Sequence, residues 1–248
     1  MMGKEADGVA ITTFKRVEKK FRVTREQYLR LLPSIEQNMQ ADKYCLDGQS
    51  YNLVNLYFDD EESSVIINSI MKPRYKEKLR LRCYGPPASD DTIVYFEIKS
   101  KLYGTVIKRR AGMTYKDAME YIRTGKRPDT DIYIYRQVMD EIDELRKRMP
   151  CEPKVIISYD RRAYFWREDP RVRLTFDENI MSSREVTDPG KFTGGEPLLG
   201  RDELLLEIKT PSSIPLWLAQ VLSEENIFIT SFSKYGYEFR TKKKAGLL

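Results

Sequence analysis

From Tyr75 to Tyr84 the chain reads Tyr-Lys-Glu-Lys-Leu-Arg-Leu-Arg-Cys-Tyr, a strict alternation of charged and apolar positions. A period of two is that of a β-strand, so Lys78, Arg80 and Arg82 share one face while Leu79, Leu81 and Cys83 share the other. The same habit recurs in Arg16-x-Glu18-x-Lys20, Glu97-x-Lys99, Lys108-x-Arg110, Arg171-x-Arg173 and Glu207-x-Lys209. Strands are therefore predicted over 14–23, 51–58, 75–84, 92–100, 105–111, 154–166, 171–177 and 203–209. Gly85-Pro86-Pro87, Gly104 and Glu168-Asp169-Pro170 separate them as turns and tight connections, which gives a hairpin-rich antiparallel order.

Between the strands the period changes to that of helices. Thr24-x-x-Gln27 has the form of a capping box, and Tyr28, Leu31, Leu32 and Ile35 follow at helical spacing, with Pro33 as the point where that helix would end or kink. Val65, Ile66, Ile67 and Ile70 predict a second short helix, and Thr114 caps a third carrying Ala118, Met119 and Ile122. A longer helix over 131–148 carries Ile134, Val138, Ile142 and Leu145, and another starts at Pro211-Ser212-Ser213 and runs through Trp217 and Leu222. The two around Ala118 and Val138 are amphipathic and are expected on the outside of the sheet. Residues 182–202, rich in Gly, Pro, Ser and charge, read as a loop long enough to be functional or mobile.

Strands that all carry charge on alternate positions must direct it into bulk water or into a shared interior. A flat sheet would do the first. A closed barrel with helices outside it and a polar lumen does the second, and it also covers the apolar faces and removes the sheet edges. The class is α+β in either case. Inside a lumen, Lys and Arg repel one another unless an anion binds, which points to a polyanion. Arg offers planar, bidentate contacts and Lys a point charge, and both suit phosphate oxygens. Glu18 and Glu97 among these residues could be internal ion pairs. Glu207 is the better metal candidate, because Mg²⁺ or Mn²⁺ commonly binds one or two carboxylates plus substrate phosphates.

Composition narrows the chemistry. The 248 residues carry 43 Lys and Arg against 38 Asp and Glu, so the net +5 favours anionic partners only modestly and the placement of charge matters more than its total. There is no histidine, which excludes imidazole acid–base catalysis, His-containing triads and His metal sites. Cys45, Cys83 and Cys151 are far apart and in no metal-like spacing, as expected of reduced intracellular thiols. Residues 1–13 lack the apolar core of a signal peptide and are expected to be disordered, and no run approaches the roughly 20 apolar residues of a membrane span. The expectation is a cytoplasmic protein with one domain over 14–240 and a basic tail over 241–248.

Arg16-x-Glu18-x-Lys20, Lys78-Leu-Arg80-Leu-Arg82, Phe96-Glu97-x-Lys99, Val106-Ile107-Lys108, Tyr159-x-Arg161, Arg173-Leu-Thr-Phe-Asp177, Leu206-Glu207-Ile-Lys209 and Ser233-Lys234-Tyr235, in this order, together resemble the VTC domain. That domain is the polyphosphate polymerase module of the vacuolar transporter chaperone complex, within the CYTH-like triphosphate tunnel metalloenzymes. The resemblance implies an eight-stranded antiparallel tunnel with helices packed outside, in which the terminal phosphoryl group of a nucleoside triphosphate passes to a growing polyphosphate chain with Mn²⁺ or Mg²⁺. Carried over by position, Lys20, Arg80, Arg82, Lys99, Lys108, Arg161 and Arg173 would grip phosphates in catalysis. Arg16, Glu18, Lys78, Glu97, Lys209, Ser233 and Lys234 would line the substrate path, and Glu207 would hold the metal. The wider superfamily has Glu-x-Glu-x-Lys on the first strand, where this chain has Arg16; that loss weakens a two-metal hydrolase or cyclase reading. The chain lacks a fused SPX sensor and membrane spans, so a soluble, standalone module is expected.

A triphosphatase in the same tunnel and a non-catalytic polyphosphate-binding module serving a protein partner remain open. Nucleic-acid binding is disfavoured, because the basic residues alternate along strands instead of forming a surface stripe. Tyr159 and Tyr235, near strand ends, are candidates to stack on a nucleobase.

Overall fold

The computed structural model describes residues 17–103 and 105–248. The expectations for residues 1–13, for Arg16 and for the Gly104 connection lie outside the described residues. In chain order the elements are β1 (Val17–Thr24), α1 (Arg25–Asn38), β2 (Met39–Ala41), β3 (Tyr51–Asp59), α2 (Ser64–Ile70), β4 (Tyr75–Tyr84), β5 (Ile93–Leu102) and β6 (Thr105–Thr114). They continue with α3 (Tyr115–Thr124), α4 (Tyr133–Arg148), β7 (Glu152–Trp166), β8 (Arg173–Ser183), β9 (Glu196–Pro197), β10 (Glu203–Thr210), α5 (Leu216–Glu224), β11 (Ile229–Thr230) and α6 (Lys234–Lys244).

The strands form one antiparallel sheet in the order β11-β1-β10-β8-β7-β3-β4-β5-β6, with β2 on β7 and β9 on β8. Eight of them, β1, β3, β4, β5, β6, β7, β8 and β10, run eight residues or more and make the tunnel wall. The wall differs from a closed barrel in one respect. Among the described residues no backbone ladder joins β6 to β1, whose free edge pairs with β11 through Lys20↔Thr230 and Phe21↔Ile229. A side-chain ion pair spans the gap instead, with Lys99 Nζ of β5, the strand beside β6, lying 3.7 Å from Glu18 Oε2 of β1.

Alternation sorts the two faces. The convex face is apolar and is covered in two patches. Leu79, Leu81, Val94 and Phe96 meet Tyr121 of α3 and Val138, Ile142 and Leu145 of α4. Phe21, Leu174, Phe176, Leu204 and Leu206 meet Leu31 and Ile35 of α1 and Leu218 of α5. Removing these side chains from water stabilises the fold by roughly 1.5–3 kcal/mol for each large residue. The capping box forms as expected, with Gln27 N donating to Thr24 Oγ1 at 3.1 Å and Thr24 N donating to Gln27 Oε1 at 2.9 Å. Pro33 lies inside α1, which continues to Asn38, because the buried faces of Leu31 and Ile35 hold the helix across it.

Two helices depart from the outside arrangement. Ile66 of α2 and Tyr235 and Phe239 of α6 pack with Leu53, Ile157, Tyr159 and Leu205, which belong to the concave face. Asp59 ties the pair, accepting from Val65 N and Ile66 N at the start of α2 and from Tyr235 Oη at 2.6 Å. They plug part of the concavity and leave the rest open. The segment after Ser233 is thus a helix that runs to Lys244, with Lys242 paired to Glu196 at 2.6 Å, where a tail was expected from residue 241. The helix expected from Pro211 begins only at Leu216, after Pro215.

Candidate anion-binding tunnel

The open part of the concave face is a cavity of about 490 Å³ lined by β1, β3 to β8, β10 and the start of α6. On β4 the lining residues are Lys78, Arg80, Arg82 and Tyr84, the single parity that the alternation requires. Lys20, Lys99, Lys108, Arg161, Arg173, Lys209, Ser233 and Lys234 also line it, together with Glu18 and Glu207. Every expected site residue within the described chain is therefore brought together on the concave face, except that Glu97 is covered there by its neighbours and is 1% exposed, so it does not line the cavity. Eleven Lys and Arg side chains face two Glu. Counting the buried Glu97 and Asp177 with them leaves a formal excess of seven positive charges, more than the +5 of the whole chain, so the remainder is slightly acidic. Cationic character belongs to the tunnel and not to the outer surface.

Buried carboxylates hold these cations in place. Glu97 accepts from Arg80 Nε at 2.7 Å, lies 3.8 Å from Arg82 Nε and pairs with Lys108 Nζ at 2.5 Å. Asp177 takes a bidentate contact from Arg161 at 2.6 and 2.8 Å and pairs with Lys234 at 2.5 Å. Glu207 and Glu18 share Lys20, at 3.4 and 3.0 Å, and Glu207 also pairs with Lys209. Arg82 is fixed further by Asn55 Oδ1 at 3.0 Å, and Arg173 lies over the Phe165 ring. Preorganised donors of this kind need no rearrangement when an anion arrives.

The titration of the wall follows from this geometry. Burial works against the charge of Glu97 and Glu207, but their cationic neighbours outweigh it and hold both well below the ordinary carboxylate range. Lys78, Lys99 and Lys108 form one row across β4, β5 and β6, like charges placed directly opposite one another. Desolvation, together with nearby Lys76, Lys99 and Lys20, pushes Lys78 down to about 7. Desolvation, helped by Arg82 and Arg80 and opposed by Glu97, also pushes Lys108 down to about 7. No carboxylate lies within ion-pair distance of Lys78 among the described residues.

A bound polyanion restores the charge of these two lysines. Between about pH 7 and their ordinary value of 10.5, inorganic tripolyphosphate binding is expected to take up protons, so affinity falls as pH rises through that window. In the empty protein the same depressed values make the unfolded chain the better proton binder there, so this contribution to stability rises with pH. Calorimetric titration at pH 8 in two buffers of different ionisation enthalpy measures the uptake. A Lys78→Met variant should show less of it, and equal heats in both buffers would refute the coupling.

Several tunnel groups were not among the expected site residues, although Arg110 and Asp177 lie within motifs quoted above. Asp177 and Thr175 share the parity of Arg173 on β8, Arg110 that of Lys108, and Tyr84 that of Arg82, so strand parity alone could have marked them. Thr175 Oγ1 is buried in the wall without a hydrogen-bond partner, opposite Glu207 on β10. The two stacking candidates are corrected. Tyr235 is 2% exposed and bonded to Asp59, and Tyr159 is 2% exposed with Lys234 Nζ 4.1 Å from its ring centroid. Neither offers a free ring face, because packing and cations already occupy them.

A family model described as VTC domain matches residues 15–241. No curated protein matches the chain. Among solved structures, a candidate adenylate cyclase from Bacillus halodurans aligns at 16% identity with a TM-score of 0.54, covering 88% of this chain and 93% of that one. The PH1819 protein from Pyrococcus horikoshii aligns at 12% identity with a TM-score of 0.46, covering 91% and 99%. The first of these shows a shared fold. No helix among the described residues is long and apolar enough to cross a membrane.

Proposed function

Because this chain belongs to the VTC domain family, matched over nearly its whole length, we propose that it is a polyphosphate polymerase. It transfers the terminal phosphoryl group of a nucleoside triphosphate, ATP in the first instance, to the end of a polyphosphate chain within the tunnel. The observation that carries this reading is the cavity of about 490 Å³ in which eleven Lys and Arg side chains, most of them ion-paired to carboxylates of the wall, face two Glu.

Phosphoryl transfer asks little covalent help of a protein, only in-line positioning and stabilisation of charge on the transferring oxygens. An anionic oxygen of the acceptor's terminal phosphate attacks the γ-phosphorus, the bond from that phosphorus to the β–γ bridging oxygen breaks, and nucleoside diphosphate leaves with the electron pair. The attacking oxygen is already ionised, so no side chain need take a proton, which suits a chain without histidine. Arg80, Arg82 and Lys108, organised on Glu97, and Arg161 and Lys234, organised on Asp177, would grip the equatorial oxygens. Lys20, Lys99, Lys209, Arg173, Lys78 and Ser233 complete the path.

A divalent ion fits this wall in one place. Glu207 and Glu18 face the cavity on adjacent strands, and both are held ionised by neighbouring lysines. No cluster of three or more acidic or thiol ligands exists among the described residues, so a cage made of protein alone is not available. One or two carboxylates plus substrate phosphates is the habit of Mg²⁺ and Mn²⁺. Such an ion would supply positive charge that offsets the negative charge of the phosphoryl groups. Glu207 would hold it, released from Lys20 and Lys209.

Incubation of the protein with ATP and Mn²⁺ or Mg²⁺, resolving long polyphosphate, free phosphate and ADP, tests the proposal. Polymer and ADP are expected from the wild type, and Glu207→Gln should lose both. Free phosphate without polymer would replace the polymerase with a triphosphatase. Tight tripolyphosphate binding with neither product would make the tunnel a receptor.

A further inference from the structure

The lumen-facing column of β4 changes character along its length. Lys78, Arg80 and Arg82 are cations, and the next residue of the same parity, Tyr84, is an aromatic ring that is 51% exposed at the tunnel mouth. Lys78 and Tyr84 are separated by six residues, or about 20 Å of strand. Tyr84 does not stand alone. Its ring centroid is 6.2 Å from that of Tyr51 and 5.9 Å from that of Tyr95, and Tyr51 lies 6.2 Å from Tyr44, which is 62% exposed. Four rings from three neighbouring strands and the segment before β3 thus form one continuous strip at this end.

The strip is built into the sheet. Tyr95 pairs across the ladder with Gly112, where a Cβ would come within 3.1 Å of the Tyr95 ring, so glycine lets that ring lie close against the β6 backbone and a larger residue would press it outward. Arg110, a lining residue, stacks on Tyr95 with 4.8 Å from its guanidinium carbon to the ring centroid. Tyr51 and Tyr84 themselves line the cavity. The wall's other lining tyrosines are covered: Tyr57 packs on Tyr235, and Tyr159 lies beneath Lys234. Open aromatic surface beside the polyanion channel is found here, on Tyr84, while Tyr51 beside it is half-buried and packs against the hydrophobic cluster below, which anchors the strip.

A nucleoside triphosphate has the same polarity as this column, a polyanion at one end and a flat ring at the other. We propose that Tyr84 and Tyr51 form a platform on which the nucleobase stacks, so that the nucleoside enters at the tyrosine mouth and its phosphates point toward the lysine end at Lys78. The inference rests on the nucleoside-triphosphate reading above and adds to it the base-binding residues and the direction of the substrate. Stacking reads the area of a ring and not its hydrogen-bonding edge, so ATP and GTP are held alike, and both more tightly than CTP or UTP. Release of the nucleoside diphosphate then takes place at the tyrosine mouth, and the acceptor chain occupies the other end.

Calorimetric titration of ATP and of inorganic tripolyphosphate into the wild type, Tyr84→Ala and Tyr84→Trp separates this from the tunnel reading itself. Tyr84→Ala should weaken ATP binding about tenfold while leaving tripolyphosphate unchanged. Tyr84→Trp should keep ATP affinity, and its added indole fluorescence should be quenched by ATP but not by tripolyphosphate. Equal losses for both ligands in Tyr84→Ala, or unchanged ATP affinity there, would overturn the platform while the anion tunnel stands. A wild type that binds tripolyphosphate but not ATP would also overturn it. A wild type that binds neither would overturn the tunnel reading and the platform with it.

Discussion

Replacing Arg80 with alanine is expected to lower phosphoryl transfer from ATP by about 10²-fold or more, the effect of deleting one preorganised charge donor at a reacting centre. Arg80 sits midway along the β4 column, and both of its contacting guanidinium nitrogens rest on Glu97 Oε2, at 2.6 and 2.7 Å. Its remaining donor reaches only Tyr57 Oη, at 3.4 Å, which leaves part of the fork to face the cavity. Lysine is not an adequate substitute, because a point charge cannot hold Glu97 and a phosphate oxygen in one plane. Arg80→Lys should therefore recover binding of tripolyphosphate more fully than turnover. The measurement is kcat for ADP formation, with thermal stability recorded alongside to exclude unfolding. Turnover within threefold of the wild type in both Arg80 variants would remove the tunnel's claim to catalysis.

Glu97→Ala should produce the largest loss of stability of any single change in the tunnel. Glu97 is 1% exposed and is the shared counterion of Arg80, Arg82 and Lys108. Removing one member of a buried ionic cluster typically costs about 3–5 kcal/mol, because the remaining charges keep their desolvation without their partner. For a chain of this size that corresponds to a fall in Tm of roughly 10 °C. Glu97→Gln, which keeps the shape and one acceptor, should lie between the variant and the wild type. Tripolyphosphate can replace the lost counterion, so it should raise the Tm of Glu97→Ala by more than it raises that of the wild type. Differential scanning calorimetry with and without the ligand reads both effects, and an unchanged Tm in Glu97→Ala would contradict the central role of this carboxylate.

The carboxylates divide by position in a way that no residue pattern announces. Glu97, Glu207 and Glu18 stand alike in the chain, each two residues from a lysine on a strand of alternating charge. Strand parity places all three on the concave face, and it does so correctly. Glu97, however, lies between Arg80 and Arg110 in the cross-strand row and is covered by its neighbours, whereas Glu207 remains at the cavity surface beside Lys20 and Lys209. One therefore supports the wall, and the other is the carboxylate proposed above to hold an ion. The difference arises from which strands are adjacent and how sharply the sheet curls, and both depend on residues far apart in sequence.

The stacking residues illustrate the same limit from the other side. Sequence marks Tyr159 as a stacking candidate and passes over Tyr84, whereas the structure puts Tyr159 in the middle of β7 and Tyr84 at the end of β4. Tyr159 is covered because α6, whose Ser233 caps its own Gly236, brings Lys234 over the ring and sets Tyr235 against Asp59. That helix packs on the concave face, which its own mixed composition did not foretell. Tyr84 stays open, 51% exposed, because its strand ends at the mouth and among the described residues only the neighbouring tyrosine rings flank it.

What the sequence determined by itself was local and periodic. Alternation with period two assigned Lys78, Arg80, Arg82, Lys99, Lys108 and Glu207 to one face, Thr24 and Gln27 started α1, and the ordered motifs identified the family, because side-chain direction and capping depend on neighbours within a few residues. The tertiary structure alone decided which carboxylate is buried, which tyrosines remain open, that α2 and α6 fill part of the lumen, and that the ion pair of Lys99 and Glu18 spans the gap in the wall without a backbone ladder. These outcomes are set by long-range packing and by the electrostatics of charges gathered from seven strands and α6, and the partners that decide them lie far apart in the chain.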